Sequence, residues 1–420
     1  MRRTVFALLV LALSGPAVSA RLTLEEALAS AGAHPDRRLA ENDLDVARAD
    51  RAQADSRQDF ALYLDGSLRT GRRPDGDWKP DNVGRIVARK PLFDFGRSSG
   101  AVDAADQEIA ARQAALLDTD NLRRIDIMAR YFDVLLADMQ YAVDNEFMAV
   151  AYVSWDNATD RFEVGQISRP ALLKLEADYQ DFRERRNASL QRMRASRQRL
   201  AHAINRPGEL PAELAEPALR DNDRSVADYE TLLPWVKARN PRLLALRAQI
   251  EAADARIAAA RAERNPTLDA EVIGGGYSRD SVTRDELSAG LVFSVPLYQG
   301  ARIDAREARE RALKTRTRAQ LDKLEFELSD ALLTTLQEIE WLRGSGRQAA
   351  GKQIEYRDWA LERARAEYEL EMRTNLGPNM AETQVAQLRR KQVEYRLALA
   401  LARLEALSGG SLPPLEETKQ

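Results

Sequence analysis

The segment Gly96-Arg97-Ser98-Ser99-Gly100 has the Gly-x-Ser-x-Gly spacing of a hydrolase nucleophile elbow, and it joins a strand-like stretch to a helix-like one. That chemistry needs a parallel sheet beneath the serine and a histidine to take its proton. Only two histidines occur in the 420 residues, and the one that follows Ser98, His202, lies in a long helical pattern. With two histidines and no cysteine there is no thiolate, no disulfide and no donor set for a buried transition metal. Gly274-Gly275-Gly276 is not followed by a helix carrying Lys-Ser/Thr, so it is not a phosphate loop; it suits a strand bend. The expectation is a protein that is not an enzyme and that holds no cofactor or metal. The charge balance, 63 basic against 66 acidic residues, leaves no nucleic-acid footprint and no drive to disorder.

What remains is architecture. Arg2 and Arg3 precede an apolar run from Val5 to Leu13, followed by Ser14, Gly15, Pro16 and the small residues Val18-Ser19-Ala20. This is the pattern of a secretory signal, residues 1–20, with cleavage after Ala20. The run is too short to span a bilayer, which takes about 20 residues. No later segment reads as a transmembrane helix, so the expected places are the periplasm, the exterior, or the outer membrane as a β-barrel.

The prolines reveal a duplication. Pro35 and Pro241 are 206 residues apart, Pro91 and Pro296 205, Pro170 and Pro378 208, and Pro207 and Pro413 206. Neighbours agree: Pro91-Leu92-Phe93 matches Pro296-Leu297-Tyr298, and Arg161-Phe162-Glu163-Val164 resembles Glu367-Tyr368-Glu369-Leu370. His34-Pro35-Asp36 is similar to the J-domain loop of co-chaperones, but its repeat partner Asn240-Pro241-Arg242 makes it a helix break. A period this long indicates a duplicated domain rather than a solenoid. The expected division is a first repeat over 21–215, a second over 216–412 and a short tail over 413–420.

Each repeat has one plan. Proline-free stretches from Pro91 to Pro170 and from Pro296 to Pro378 are rich in helix formers. Apolar residues recur at threes and fours: Leu122, Ile125, Ala129, Phe132 and Leu136, then Leu321, Leu324, Leu328, Leu332 and Leu336. This coiled-coil spacing predicts a helix of about 68 residues, roughly 100 Å, from Arg97 to Val164. Gly344, Gly346 and Gly351 predict a bend or thinning in its counterpart. Returning helices begin near Pro170 and Pro378, and a third helix of some 23 residues follows Pro35 and Pro241. Two strands interrupt each copy. Leu62 and Leu64 alternate with Tyr63 and Asp65. After a polar turn, Gly71 to Asn82, Ile86 and Ala88 alternate with Arg85, Val87 and Arg89. In copy two Leu287, Ala289, Leu291, Phe293 and Val295 alternate with Ser288, Gly290, Val292 and Ser294. Strands of about ten residues with one apolar face match transmembrane barrel strands. Four cannot close a barrel, so several chains must contribute.

With these features the sequence resembles the TolC-type outer-membrane efflux family across nearly all of residues 22 to 412. The carriers are the duplication, the strand ending Phe293-Ser-Val-Pro-Leu-Tyr-Gln-Gly-Ala-Arg-Ile-Asp304, the entry Asn265-Pro-Thr-Leu-Asp-Ala-Glu-Val272, and the tip Arg161-Phe-Glu-Val-Gly-Gln-Ile-Ser168. The resemblance implies an α+β, mainly helical fold. Four strands per chain would enter a twelve-stranded outer-membrane barrel shared by a homotrimer, with coiled-coil helices extending into the periplasm. It also implies partners: a periplasmic adaptor (membrane fusion protein), an inner-membrane transporter of ABC or RND type, and outer-membrane lipid.

Residue by residue, it implies an adaptor-contacting tip at Phe162, Val164, Gly165, Ile167 and Ser168. The second tip would be Glu371 and Thr374, with Glu371 where the family has a small residue. A periplasmic gate would use Tyr368 and Arg373, but the family's aspartate partner falls at Ala171. Asn379 and Glu382 stand where an aspartate pair lines the constriction; three copies of Glu382 would form an acidic ring, and the alternative is that Glu382 is one more solvated helix residue. Leu62, Leu64, Leu287, Ala289, Leu291, Phe293 and Val295 would face lipid. The expected function is an outer-membrane exit duct of a tripartite efflux or type I secretion system. The alternative is a soluble periplasmic coiled-coil scaffold or adaptor, which has no use for four long strands with apolar exteriors.

Overall fold

The computed structural model describes residues 21–72, 76–278, 285–370 and 376–414. The signal pattern of residues 1–20 lies outside them. Along the chain run α1 (Leu24–Ala29), α2 (Pro35–Asp55), β1 (Ala61–Ser67), β2 (Thr70–Arg72), β3 (Trp78–Pro80), β4 (Val83–Phe93), α3 (Arg97–Glu163) and α4 (Arg169–Ala203). Then follow α5 (Tyr229–Arg239), α6 (Pro241–Ala262), β5 (Thr267–Tyr277), β6 (Leu287–Ser294), α7 (Arg302–Trp341), α8 (Arg347–Glu369) and α9 (Leu376–Leu407). The long helix α3 has 67 residues. Its counterpart is α7 and α8 joined by a π-helical turn at Leu342–Gly346. Of the glycines expected to bend that helix, Gly344 and Gly346 lie in this wider turn and Gly351 lies within α8, and the chain stays helical through all three. Pro378 is the third residue of α9 rather than its first.

Two compact units cut across the chain. One comprises residues 36–121, 227–334 and 405–420; the other comprises 1–35, 122–226 and 335–404.

The first unit holds the sheet. β1, β4, β5 and β6 are antiparallel neighbours in that order, so β1 and β6 are its edges. The register slips once, between Pro91 and Phe93 of the inner strand β4. Proline cannot donate to a ladder, and a bulge is where a sheet tolerates it. The polar turn expected from Gly71 to Asn82 instead contains β2 and β3, paired as a small extension of the hairpin. The sheet joins its helices through tight turns. Asp94 caps α3 by accepting the Ser98 amide at 2.7 Å, and Gly96 takes a φ of +102°. A Cβ at Gly100 would lie 3.1 Å from that of Ala259 and 3.2 Å from the Ala255 carbonyl, so glycine permits α3 to approach α6. The Gly-x-Ser-x-Gly spacing is thus a helix entry, and Ser98 is buried within it. Helices α6 and α7 pack through Leu243, Leu324 and Leu328, with Leu407 against them.

The second unit is built on the two helical hairpins. Tyr131, Phe132, Ile127 and Val134 of α3 pack with Leu200 and Ala203 of α4 and Tyr395 of α9. The Phe132 and Tyr395 rings stack at 4.6 Å. The segment at Leu22 closes this core: Leu22 forms a parallel bridge with Leu214, and the Tyr131 hydroxyl lies 2.8 Å from the Leu22 carbonyl and 2.5 Å from that of Ala215.

Candidate functional site

Strand register sorts the sheet's side chains onto two faces, because successive residues of a strand alternate sides. Leu62 opposes Ala88 and Leu64 opposes Ile86. Ala88 opposes Val272, which opposes Ala289; Ala270 opposes Leu291, and Leu268 opposes Phe293. Leu62, Leu64, Leu287, Ala289, Leu291 and Phe293 therefore share one face. Leu64 is 81% exposed, Leu291 67% and Phe293 63%. Val295 continues the same alternation one residue beyond β6. An apolar face this exposed is costly to leave in water. The opposite face carries ion pairs. Arg89 donates through Nε to Glu271 at 3.0 Å, and Arg85 lies 3.9 Å from Asp65. A sheet with one bare apolar face, one charged face and two open edges is unfinished as a single chain.

The first tip is a tight reversal. α3 ends with the Gln166 amide on the Arg161 carbonyl at 2.8 Å and the Gly165 amide on the Phe162 carbonyl at 3.0 Å. Gly165 takes a φ of +74°. This pair of bonds with a left-handed glycine is the Schellman ending of a helix. Ser168 then starts α4 in extended conformation. Phe162, Val164 and Ser168 are exposed and Ile167 is half-buried, so the tip presents apolar side chains on a rigid turn. Below it α3 and α4 are joined by aromatic contacts: Trp155 stacks on Tyr179 at 5.3 Å and Phe147 on Phe182 at 5.6 Å. Apolar spacing along one helix carries no sign of that ladder, because its members lie on two helices.

At the second tip, Glu371, Arg373 and Thr374 lie outside the described residues. Tyr368 is exposed at the end of α8. Asn379 and Glu382 stand one turn apart on α9. Glu382 pairs with Arg357 of α8 at 3.0 Å, and the Thr383 hydroxyl donates to the Asn379 carbonyl at 2.8 Å. Glu382 therefore has a partner within its own hairpin, which the sequence reading did not foresee. Gly377 sets the approach of α9 to α3, since a Cβ there would lie 2.8 Å from Val150 Cγ2.

A polar clamp, also unforeseen, sits at the π-helical turn. Arg343 donates to the carbonyls of Asn222 and Arg224, at 2.9 and 2.5 Å. Arg347 holds Glu394 with two bonds of 2.8 Å and Asp223 with one of 2.6 Å. Asn222, almost fully buried, donates to the Glu394 carboxylate at 2.8 Å. Burial pushes the Glu394 carboxyl up, but the Arg347 and Asn222 hydrogen bonds outweigh it and hold it below the usual range. The π-helical turn and its glycines thus coincide with the place where a loop is strapped to two helices. Among the described residues no group of three His, Cys, Asp or Glu side chains could hold a metal, and no helix is long and apolar enough to cross a membrane.

Comparison with known proteins agrees with this geometry. Residues 232–410 match the family model described as outer membrane efflux protein. The outer membrane protein VceC from Vibrio cholerae superposes with a TM-score of 0.71 at 18% identity, covering 93% of this chain and 96% of that one. The CmeC outer membrane channel of Campylobacter jejuni gives 0.75 at 13%, covering 94% and 87%. The open state of the MtrE outer membrane channel of Neisseria gonorrhoeae gives 0.70 at 18%, covering 92% and 89%. No curated protein matches the sequence.

Proposed function

We propose, from the match of residues 232–410 to the outer membrane efflux protein model and from the fold that the whole chain shares with outer-membrane channels, that this protein is a passive exit duct of the cell outer membrane with a long periplasmic extension. The observation that carries the reading is the unfinished sheet: four antiparallel strands, an apolar face bare to the surroundings, and open edges at β1 and β6. Closure needs about eight strands at least, and three chains would supply twelve. The bare face then meets lipid, and the Arg89–Glu271 and Arg85–Asp65 face lines a wet lumen.

The helical hairpins reach into the periplasm. The rigid first tip, with Phe162, Val164, Gly165, Ile167 and Ser168, supports docking of a periplasmic adaptor, with Glu371 and Thr374 in the matching position of the second hairpin. The adaptor would couple the duct to an inner-membrane transporter of ABC or RND type, for efflux or for type I secretion. Tyr368, Arg373, Asn379 and Glu382 form the proposed periplasmic gate. Because Glu382 already engages Arg357, closure through an acidic ring would require that pair to open.

The test is direct. The protein should fractionate with outer membranes, cross-link as a trimer in mild detergent, and conduct ions in planar bilayers. Recovery as a soluble periplasmic species would favour the scaffold alternative and end the duct reading.

A further inference from the structure

The hairpin in which β1 pairs with β4 and β2 with β3 keeps the same register in both ladders. Ala61 opposes Arg89, Ser67 opposes Val83, Thr70 opposes Pro80 and Arg72 opposes Trp78, with no residue gained or lost on either strand. The junction is tied by the Asp81 amide on the Arg69 carbonyl at 2.7 Å and the Arg69 amide on Asn82 Oδ1 at 3.2 Å. Because both arms have the same number of residues across the junction, alternation puts Arg72 and Trp78 on the same face as Leu62, Leu64 and Leu68. One step beyond the other end of β1, the same face carries Phe60 opposite Lys90. An aromatic residue and a cation thus face each other at both limits of the apolar face.

The spacing between these limits matches a bilayer. From Lys90 back to Trp78 the chain advances twelve residues, about 40 Å in extended conformation. Tilted by about 45°, that spans about 28 Å, close to the apolar band of a transmembrane barrel. Phe60 and Lys90 lie at the end where α2 enters and α3 leaves, so Arg72 and Trp78 mark the opposite rim. Trp78 is 68% exposed. Arg72 is exposed, and its Nε donates to the Gly76 carbonyl at 3.2 Å. Among the described residues no carboxylate pairs with it.

We propose that Arg72 and Trp78 form a docking site for the phosphorylated headgroup of an outer-leaflet lipid. The proposal rests on the barrel reading above. The guanidinium supplies a forked donor matched to phosphate oxygens. The indole sits where apolar chain meets polar headgroup, its apolar body inward and its N–H toward water. The hairpin register fixes both on one lipid-facing edge. Arg69 gives an internal contrast, since odd-numbered positions of this hairpin project to the other face.

The test uses the full mature protein in detergent micelles, titrated with bis-phosphorylated lipid A and with its dephosphorylated form, and read by native mass spectrometry. The expected result is tighter binding of the phosphorylated lipid, weakened about fivefold by Arg72→Ser, kept by Arg72→Lys and unchanged by Arg69→Ser. Trp78→Ala should weaken both lipids alike. Millimolar inorganic phosphate should not displace the lipid; if it does, the site reads free anions and the lipid assignment fails. Equal binding of the two lipid forms, or equal loss from Arg72→Ser and Arg69→Ser, overturns the proposal. Insertion into phosphatidylcholine vesicles is measured on the same samples. A chain that enters them yet binds both lipids equally sinks this proposal alone; one that does not enter them sinks the barrel reading, and the docking site with it.

Discussion

Replacing Leu64 with arginine tests the lipid face at the most exposed of its large apolar strand residues. Leu64 is 81% exposed in the protomer and opposes Ile86 on the same face. It lies four residues from Phe60, about 13 Å along the strand and about 9 Å above that rim at a 45° tilt. That depth is well inside a band about 25 Å tall but short of its centre, so the cost should be about 2 kcal/mol per chain. Three chains would share one barrel, and the penalty would add to about 6 kcal/mol per assembly if the sites are independent. Tyr63→Arg is the control: Tyr63 opposes Val87 on the charged side of the sheet, where a guanidinium meets a wet lumen. The assay is folding into phosphatidylcholine vesicles over a urea series, scoring heat-resistant assembly on gels. Leu64→Arg should shift the folding midpoint to much lower urea, and Tyr63→Arg should hardly move it. If both variants assemble equally well, or if Tyr63→Arg is the worse, the assignment of faces is wrong and the barrel reading loses its support.

Other expectations concern the helical unit and its tip. Glu394→Gln should cost about 2 kcal/mol, since it leaves a partly buried Arg347 and Asn222 with a weaker acceptor; chemical denaturation of the wild type and variant would measure it. The Glu394 carboxyl is held below its unfolded value, so the stability it gives is complete above about pH 4.5 and is lost as pH falls through the depressed value; the variant's acid limb should be flatter. Gly165→Ala should cost about 1 kcal/mol from the φ of +74° alone, because no atom lies within 4 Å of its Cβ, and Gly165→Asn less; amide exchange at the first tip reports it. Gly377→Ala should destabilise despite alanine's better helix propensity, since its Cβ would meet Val150 at 2.8 Å; Val150→Ala should restore the loss, and a double-mutant cycle on thermal melts that finds no coupling would remove the contact from the account.

The parts of this molecule that obey a period could be read from its residues, and the parts that depend on which element lies beside which could not. Helix α3 was expected from Arg97 to Val164 and ends at Glu163, because one proline-free stretch of helix formers and one glycine decide both limits. The faces of β1, β4 and β6 follow from alternation alone. By contrast, the stretch from Gly71 to Asn82 looks like a turn by composition, with glycines, prolines and charges. It pairs because the hairpin below it fixes the register and carries the ladder three residues further on each side. The Arg347–Glu394–Asn222 clamp joins residues up to 172 positions apart, with no motif to flag them. Glu382 shows the same limit at the proposed gate. A one-dimensional reading places it on α9 at a spacing suited to a ring, and only packing of α8 on α9 brings Arg357 to 3.0 Å. The charge at that level is therefore set by a contact between two helices rather than by the acidic residue alone. Glutamate there supplies a ring to the extent that the hairpin lets its arginine go.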